Sequence, residues 1–196
     1  MQPIPGEAEE KKAQIEAVIE RVQSGDKDAY GLIIRQFERQ MYTYCYYILK
    51  NHAETEDAVQ EIFIRAYLNL HKYSRQVSFS AWLYKVAYHH LINMKKKQGR
   101  WVQLVDKCME EQPVQQITPH DTMIQELLTY LTAEERHILL LKSVEQYSFE
   151  EMGEVMGVKS ATLRKKYERL RRKLMDRVLE KGEIAHGKIA GSSGVR

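Results

Sequence analysis

The sequence predicts an all-α protein made of two small helical domains joined by a flexible linker. Apolar residues recur at three- and four-residue spacings through nearly every segment, the pattern of helices with one buried face. No segment alternates apolar and polar residues with the period of a strand, and there is no internal repeat. Residues 101–121 lack a period; they carry Pro113, Pro119, a QPVQQ run and scattered acid, the composition of a linker.

Residues 15–23 read as a short amphipathic helix ending at the polar run SGDKDAY, where Asp26 or Asp28 is placed to cap the next helix. That helix carries Leu32, Ile33, Phe37, Met41, Tyr44 and Ile48 as its apolar stripe. A third helix begins near Thr55 with Ala58, Val59, Ile62, Phe63, Ala66 and Leu70 on one face, and a fourth buries Leu83, Val86, Ala87, Leu91 and Met94. Short connections between such helices make a bundle. The first domain is therefore set at 26–100, behind an N-terminal extension of 1–25. After the linker the helical period returns in MIQELLTYL, TAEERHILLLKSV and SFEEMGEVM, which open a second domain over 122–181. The remainder, 182–196, is small, Gly/Ser-rich and aperiodic, and is expected to be a disordered tail.

Composition narrows the function. No apolar run approaches the roughly 20 residues of a membrane span, and the start is acidic and polar with no signal-peptide core, so a cytoplasmic protein is expected. Cys45 and Cys108 lie far apart with no C-x-x-C and no histidine at ligand spacing, so no metal site is expected and the thiols read as structural. No nucleophile–base pair or phosphate-binding glycine loop is visible, which leaves no basis for an enzyme, a cofactor or a small-molecule substrate. The formal net charge is only +3, but the charge is sorted. Residues 75–100 hold six Lys or Arg and no acid, and residues 159–181 hold ten bases against Glu168, Asp176 and Glu180. Acid gathers elsewhere, in ETED at 54–57, at Glu61 and along the linker. Two basic blocks kept apart from the acid are an electrostatic footprint for nucleic acid.

The second block follows a turn. FEEMGEVMGVKSATLRKKY has the layout of a helix-turn-helix, with Gly153 at a close helix contact, Gly157 at the turn, and Met152, Met156, Val158 and Leu163 between the helices. Ser160 is placed to cap the second helix. Leu163, Tyr167, Leu170 and Leu174 form its narrow apolar stripe, and nearly everything else on it is cationic. Such a helix enters a major groove by its early side chains while flanking cations meet phosphates.

Three stretches in fixed order carry a family resemblance. ETEDAVQEIFIRAYLNLHKY resembles region 2.2 of the bacterial extracytoplasmic-function sigma factors, FSAWLYKVAYHHLINMKKK their regions 2.3 and 2.4, and LTAEERHILLLKSVEQYSFEEMGEVMGVKSATLRKKYERLRRKL their region 4. The resemblance covers roughly residues 26–174. It implies a sigma region 2 bundle and a sigma region 4 helix-turn-helix, and an alternative sigma factor that directs core RNA polymerase to particular promoters. Its partners would be core polymerase, promoter DNA and a candidate anti-sigma factor.

The resemblance also assigns residues. Asp57, Gln60 and Glu61, three and four apart on one helix face, would meet the clamp helices of the largest polymerase subunit. Tyr73 would stand at the pocket that captures a base leaving the −10 stack. Lys85, His89 and Asn93 follow at one-turn spacing, and Lys95, Lys96 and Lys97 would meet phosphates. His89 stands where the family commonly carries asparagine, so the family's −10 base preference does not carry over. Phe79 and Trp82 are read as core rather than as stacking platforms. In region 4 the −35 readers map onto Arg164, Lys165, Glu168 and Arg169, with Ser160, Thr162, Lys166 and Arg172 beside them. Arginine suits the task because its planar fork matches guanine O6 and N7. Glu168 either accepts from a cytosine amine or orients Arg164 or Arg172, and the second is favoured. The alternative to a sigma factor is a stand-alone helix-turn-helix regulator of duplex DNA, which would need neither the Asp57 face nor Tyr73.

Overall fold

The computed structural model describes residues 5–105 and 128–190, with the side chains of residue 10, of 12–97 and of 128–179. Seven α-helices are described: α1 Pro5–Gln23, α2 Tyr30–Leu49, α3 His52–Asn69, α4 Phe79–Val105, α5 Ala133–Ser143, α6 Phe149–Met156 and α7 Ser160–Ala190. No strand occurs among the described residues.

The first unit is built on a helical hairpin. Asp26 accepts from the Ala29 N–H and caps the 3-10 turn Lys27–Ala29 that leads into α2. Helix α2 itself, entered directly from Ala29, carries no side-chain cap, so neither aspartate caps it as expected. Lys50, in the left-handed region at φ 59°, ends α2, and Asn51 at once caps α3 by accepting from the Glu54 N–H at 3.0 Å. The stripe Ile33, Phe37, Met41, Tyr44 and Ile48 is buried with Ala58, Ile62 and Ala66 of α3, Leu70 just beyond its end, and Leu83, Ala87 and Leu91 of α4. Each buried Ile, Leu, Phe or Met side chain among these contributes about 1.5–3 kcal/mol as an upper estimate, and each alanine methyl about 0.8 kcal/mol. Leu32 was expected on this stripe but is 40 % exposed, because it sits one residue, about 100°, off the 33–37–41–44–48 line.

Helix α1 begins ten residues earlier than the period suggested and closes the bundle with Ile19 and Val22. Gln23 donates to the Leu70 carbonyl at 2.8 Å, tying α1 to the end of α3. Helix α4 runs through Val105, into the stretch read as linker, since no proline interrupts the chain from Phe79 to Val105. Residues 106–127, with Cys108 and the rest of the linker, lie outside the described residues.

The second unit is set by two capping boxes. Thr132 and Glu135 open α5, Ser148 and Glu151 open α6, each pair satisfying two backbone N–H groups reciprocally. Leu128, Leu131, Ile138, Leu141, Met152, Val155, Leu163 and Leu170 are its core. Helix α7 continues through Ala190, so the backbone of 182–190 is helical where disorder was expected. Gly182 and Gly187 weaken that helix by about 1 kcal/mol each, but no proline stops it.

The two units are docked on one continuous core. His137 of α5 is fully buried, its Nδ1 2.7 Å from the Tyr44 hydroxyl of α2 and its ring edge-on to Tyr88 of α4 at 4.8 Å. Tyr147 packs edge-on to Tyr84 at 5.7 Å and shares a hydrogen bond with Ser80, while Arg136 donates to the Ile48 carbonyl at 3.0 Å. Burial, reinforced by Arg136, pushes the His137 imidazole down to about 3, so the docked histidine is neutral. Burial likewise pushes the Cys45 thiol up to about 12 and leaves it unreactive at neutral pH.

Candidate nucleic-acid and polymerase interfaces

The helix-turn-helix forms as the sequence requires. Gly157 takes φ 67° and its N–H closes on the Gly153 carbonyl at 2.8 Å, a left-handed helix stop that disfavours a side chain. A Cβ at Gly153 would stand 2.9 Å from the Val158 carbonyl oxygen, so glycine lets the turn cross its own first helix. Ser160 is the first residue of α7 rather than its cap; the Lys159 carbonyl accepts from Thr162 and Leu163, one position earlier than expected. Leu163 and Leu170 are buried and Tyr167 and Leu174 half-buried, which turns the cations outward.

Those cations are not equivalent. Thr162, Arg164, Lys165, Glu168, Arg169 and Arg172 are exposed, and Ser160 is half-buried. Arg164 lies over the Phe149 ring at 5.4 Å with its guanidinium 4.0 Å from Glu150, held at the start of α6. Lys166 turns to α5 and pairs with Glu134 at 2.6 Å, and Lys173 pairs with Glu135 at 3.0 Å. A cation so engaged must leave its carboxylate to reach a phosphate, which sets Lys166 apart from Lys165. Arg164 is paired with Glu150, and among the described residues no ion pair joins Glu168 to Arg164 or Arg172. The expectation that Glu168 orients an arginine is therefore not met in this structure.

On α4, Lys85, His89 and Asn93 are all exposed and, at four-residue spacing, form one row. Lys96 and Lys97 are exposed and Lys95 half-buried at the continuation of this helix. Arg65, His90, Asn93, Lys96 and Lys97 line a shallow hollow beside the row. Arg65 and His90 escaped the sequence reading, since they belong to different helices that only folding brings together. Burial, with Arg65 beside it, lowers the affinity of His90 for a proton.

Tyr73 lies at 7 % exposure rather than open to a base. Its hydroxyl donates to Glu16 at 2.5 Å, with the Val77 carbonyl at 3.1 Å, and its ring meets Phe79 and Trp82 edge-on or tilted at 5.4 and 5.6 Å. Phe79 is buried and Trp82 half-buried, in agreement with their reading as core.

On α3, Asp57 and Gln60 are exposed and Glu61 half-buried, on one face. Glu61 pairs with Arg65 at 2.6 Å. Alongside runs an apolar groove between α2 and α3, lined by Tyr30, Ile34, Val59, Gln60, Phe63 and Ile64 and continuing to Leu68. Ile64 is 53 % and Leu68 62 % exposed. The sequence signal for them was present: two apolar residues four apart, off the core stripe of their own helix.

Comparison with known proteins agrees with this division. Residues 33–100 match the family Sigma-70 region 2, and residues 121–174 match Sigma-70, region 4. The chain is 30 % identical to the ECF RNA polymerase sigma factor SigW of Bacillus subtilis over 179 residues, covering 81 % of this chain and 95 % of that one. It is 26 % identical to the ECF sigma-E factor of Haemophilus influenzae, over 83 % of this chain and 94 % of that protein. Among solved structures, the fold resembles sigma factor RpoE in complex with the anti-sigma factor NepR from Bartonella quintana, with a TM-score of 0.65, 20 % identity, and 75 % of this chain and 94 % of that one covered. It also resembles CnrH in complex with the cytosolic domain of CnrY, with a TM-score of 0.63, 16 % identity, and 83 % and 95 % covered. The region 2 match, spanning the Asp57 face and the α4 row, disfavours a stand-alone duplex-DNA regulator. The chain belongs to the extracytoplasmic-function sigma factors, the alternative sigma factors that bind core RNA polymerase and direct it to promoters.

Proposed function

We propose that α7 reads the −35 element, that the α4 row with the loop over Tyr73 receives the −10 element, and that the α3 face docks on the polymerase clamp helices. The observation that carries this reading is the placement of exposed cationic and polar side chains in two rows. One row, Lys85–His89–Asn93 with Lys96 and Lys97, lies on the first unit, and a second, Arg164, Lys165, Arg169 and Arg172, lies on the second unit behind a glycine turn. Arg164 and Arg169 read base edges, and Lys165 and Arg172 meet phosphates. His89 and Asn93 contact the non-template strand as it leaves the duplex. Tyr73 forms the floor beneath the receiving loop, since its ring is buried against Phe79 and Trp82 rather than offered to solvent. Gln60 joins the apolar groove to Asp57 and Glu61, so Ile64 and Leu68 add buried area to a polar contact, the usual composition of an interface core and rim. Among the described residues no helix is long and apolar enough to cross a membrane. As a member of the sigma factors, the chain acts in the cytoplasm as a non-catalytic initiation factor. An anti-sigma factor is a candidate partner, by analogy with the complexes of the two solved relatives.

The test is run-off transcription from a randomised promoter library with purified core polymerase, with and without the chain. Transcripts that appear only with the chain, from templates sharing two spaced elements, are the expected result. Equal transcription without it refutes the reading.

A further inference from the structure

The match to region 2 begins at residue 33, so α1 lies ahead of it, yet α1 supplies the side chains that hold the loop after α3. Glu16, whose side chain is 13 % exposed, uses both carboxylate oxygens on that loop. Oε1 accepts from the Tyr73 hydroxyl at 2.5 Å and Oε2 lies 3.2 Å from Arg75 Nε. The other end of the Arg75 fork meets Glu20, one turn along α1. A planar guanidinium shared between two carboxylates at i and i+4 is a two-point attachment, and the Tyr73 hydroxyl makes a third. Between Lys72 and Ser78 the loop has no regular secondary structure of its own. Gln23 anchors its upstream end through the Leu70 carbonyl.

We infer that Glu16 is a positioning residue for promoter opening: from α1 it fixes Tyr73 and Arg75, and through them the loop that receives the −10 base. The inference rests on the reading of that loop given above. Charge and geometry both enter. The carboxylate accepts where a neutral group of the same shape would accept less strongly, and its partial burial protects the contact from screening. Glu16 has no role in recruitment, because it lies on neither the α3 face nor α7. Its loss therefore acts on melting and not on binding.

The experiment uses full-length chain with core polymerase on a template selected by wild-type run-off from the randomised library, and reads permanganate reactivity of −10 thymines alongside core binding. Glu16→Ala should lower opening about tenfold, the scale of a lost hydrogen bond to a charged group, with core affinity unchanged. Glu16→Gln, which keeps the shape and an acceptor for Tyr73 but not the charge opposite Arg75, should recover part of the loss. Tyr73→Phe should lower opening in the same direction, and its combination with Glu16→Ala should be no worse than Glu16→Ala alone, because the Tyr73–Glu16 hydrogen bond is already lost once Glu16 is removed. Unchanged or increased opening by Glu16→Ala overturns the inference, as does a Gln variant as poor as Ala, or additive loss in the double variant. His89→Ala serves as the arm for the underlying reading. If it lowers opening while Glu16→Ala does not, the inference alone fails; if neither matters, the assignment of the −10 surface fails.

Discussion

His137 makes the docking of the two units depend on pH in a calculable way. Its imidazole is neutral in the docked chain, pushed down to about 3 from an ordinary 6.5. Around it stand the Tyr44 and Tyr88 rings and the Arg136 guanidinium, and among the described residues no ion pair joins a carboxylate to it. Once undocked it takes a proton at its ordinary value, so between about 3 and 6.5 the open or unfolded chain binds the extra proton. The folded value is depressed, and the contribution to stability is therefore full above pH 6.5 and falls as the pH drops toward 3. Between pH 7 and pH 5 the loss is about 2 kcal/mol, roughly a thirtyfold shift in the docking equilibrium. Glu145 works against it, because burial raises its carboxyl and the protonated form favoured at low pH suits the docked state. The comparison must therefore be with a variant that removes only the imidazole. His137→Gln retains an acceptor for the Tyr44 hydroxyl and does not titrate. Urea unfolding of both proteins at pH 7 and pH 5, with small-angle scattering for separation of the units, isolates the term as a difference of differences. Wild type should lose about 2 kcal/mol more than the variant, and its radius should grow first. Equal pH dependence in the two proteins refutes the reasoning, since a histidine buried and neutral cannot titrate for free.

Further outcomes are expected of the remaining surfaces. Gly157→Ala should destabilise the second unit by about 1–2 kcal/mol, the cost of a left-handed position for an L-residue, read as a lowered Tm with weakened −35 binding. Arg164→Ala should relax selectivity at one or two −35 positions, worth about 1–3 kcal/mol each, whereas Lys165→Ala should weaken all sequences equally and lower the salt slope by about one; a −35 library transcribed at several salt concentrations separates the two. Lys166→Ala should change that slope less than Lys165→Ala, because Glu134 already holds Lys166. Gln60→Arg with Glu61→Arg, and separately Ile64→Asp with Leu68→Asp, should each reduce pull-down of core polymerase by folded protein, with circular dichroism as the check on folding; undiminished pull-down by either pair removes that part of the α3 face.

What was legible in the chain follows from which interactions are local. Helical stripes and the glycine turn are set by residues within about four positions of one another, so their spacing reports them directly; the capping boxes are just as local but were not singled out from the sequence. The sorting of charge is equally local, and it identified the faces that Lys85, His89, Asn93, Arg164 and Lys165 present to solvent. Helix ends were less legible: α4 and α7 run past their expected limits because neither a linker-like nor a Gly/Ser-rich composition stops a helix that lacks a proline.

Only the tertiary structure decided what each side chain was engaged with. Tyr73 reads as an exposed aromatic in a polar loop, and Glu16, 57 residues away, makes it a buried one. Lys166 reads like Lys165 until α5 brings Glu134 to it. His137 sits in an apolar run with nothing local to mark it, and becomes a neutral interdomain residue through Tyr44, 93 positions distant. The sequence by itself determined the helices, the family and the two charged faces, because periodicity and composition are properties of neighbours. The docking of the two units and the bracing of the Tyr73 loop by Glu16 came from contacts between helices, because a hydrogen bond or ion pair across the chain depends on where the backbone folds and leaves no spacing to read.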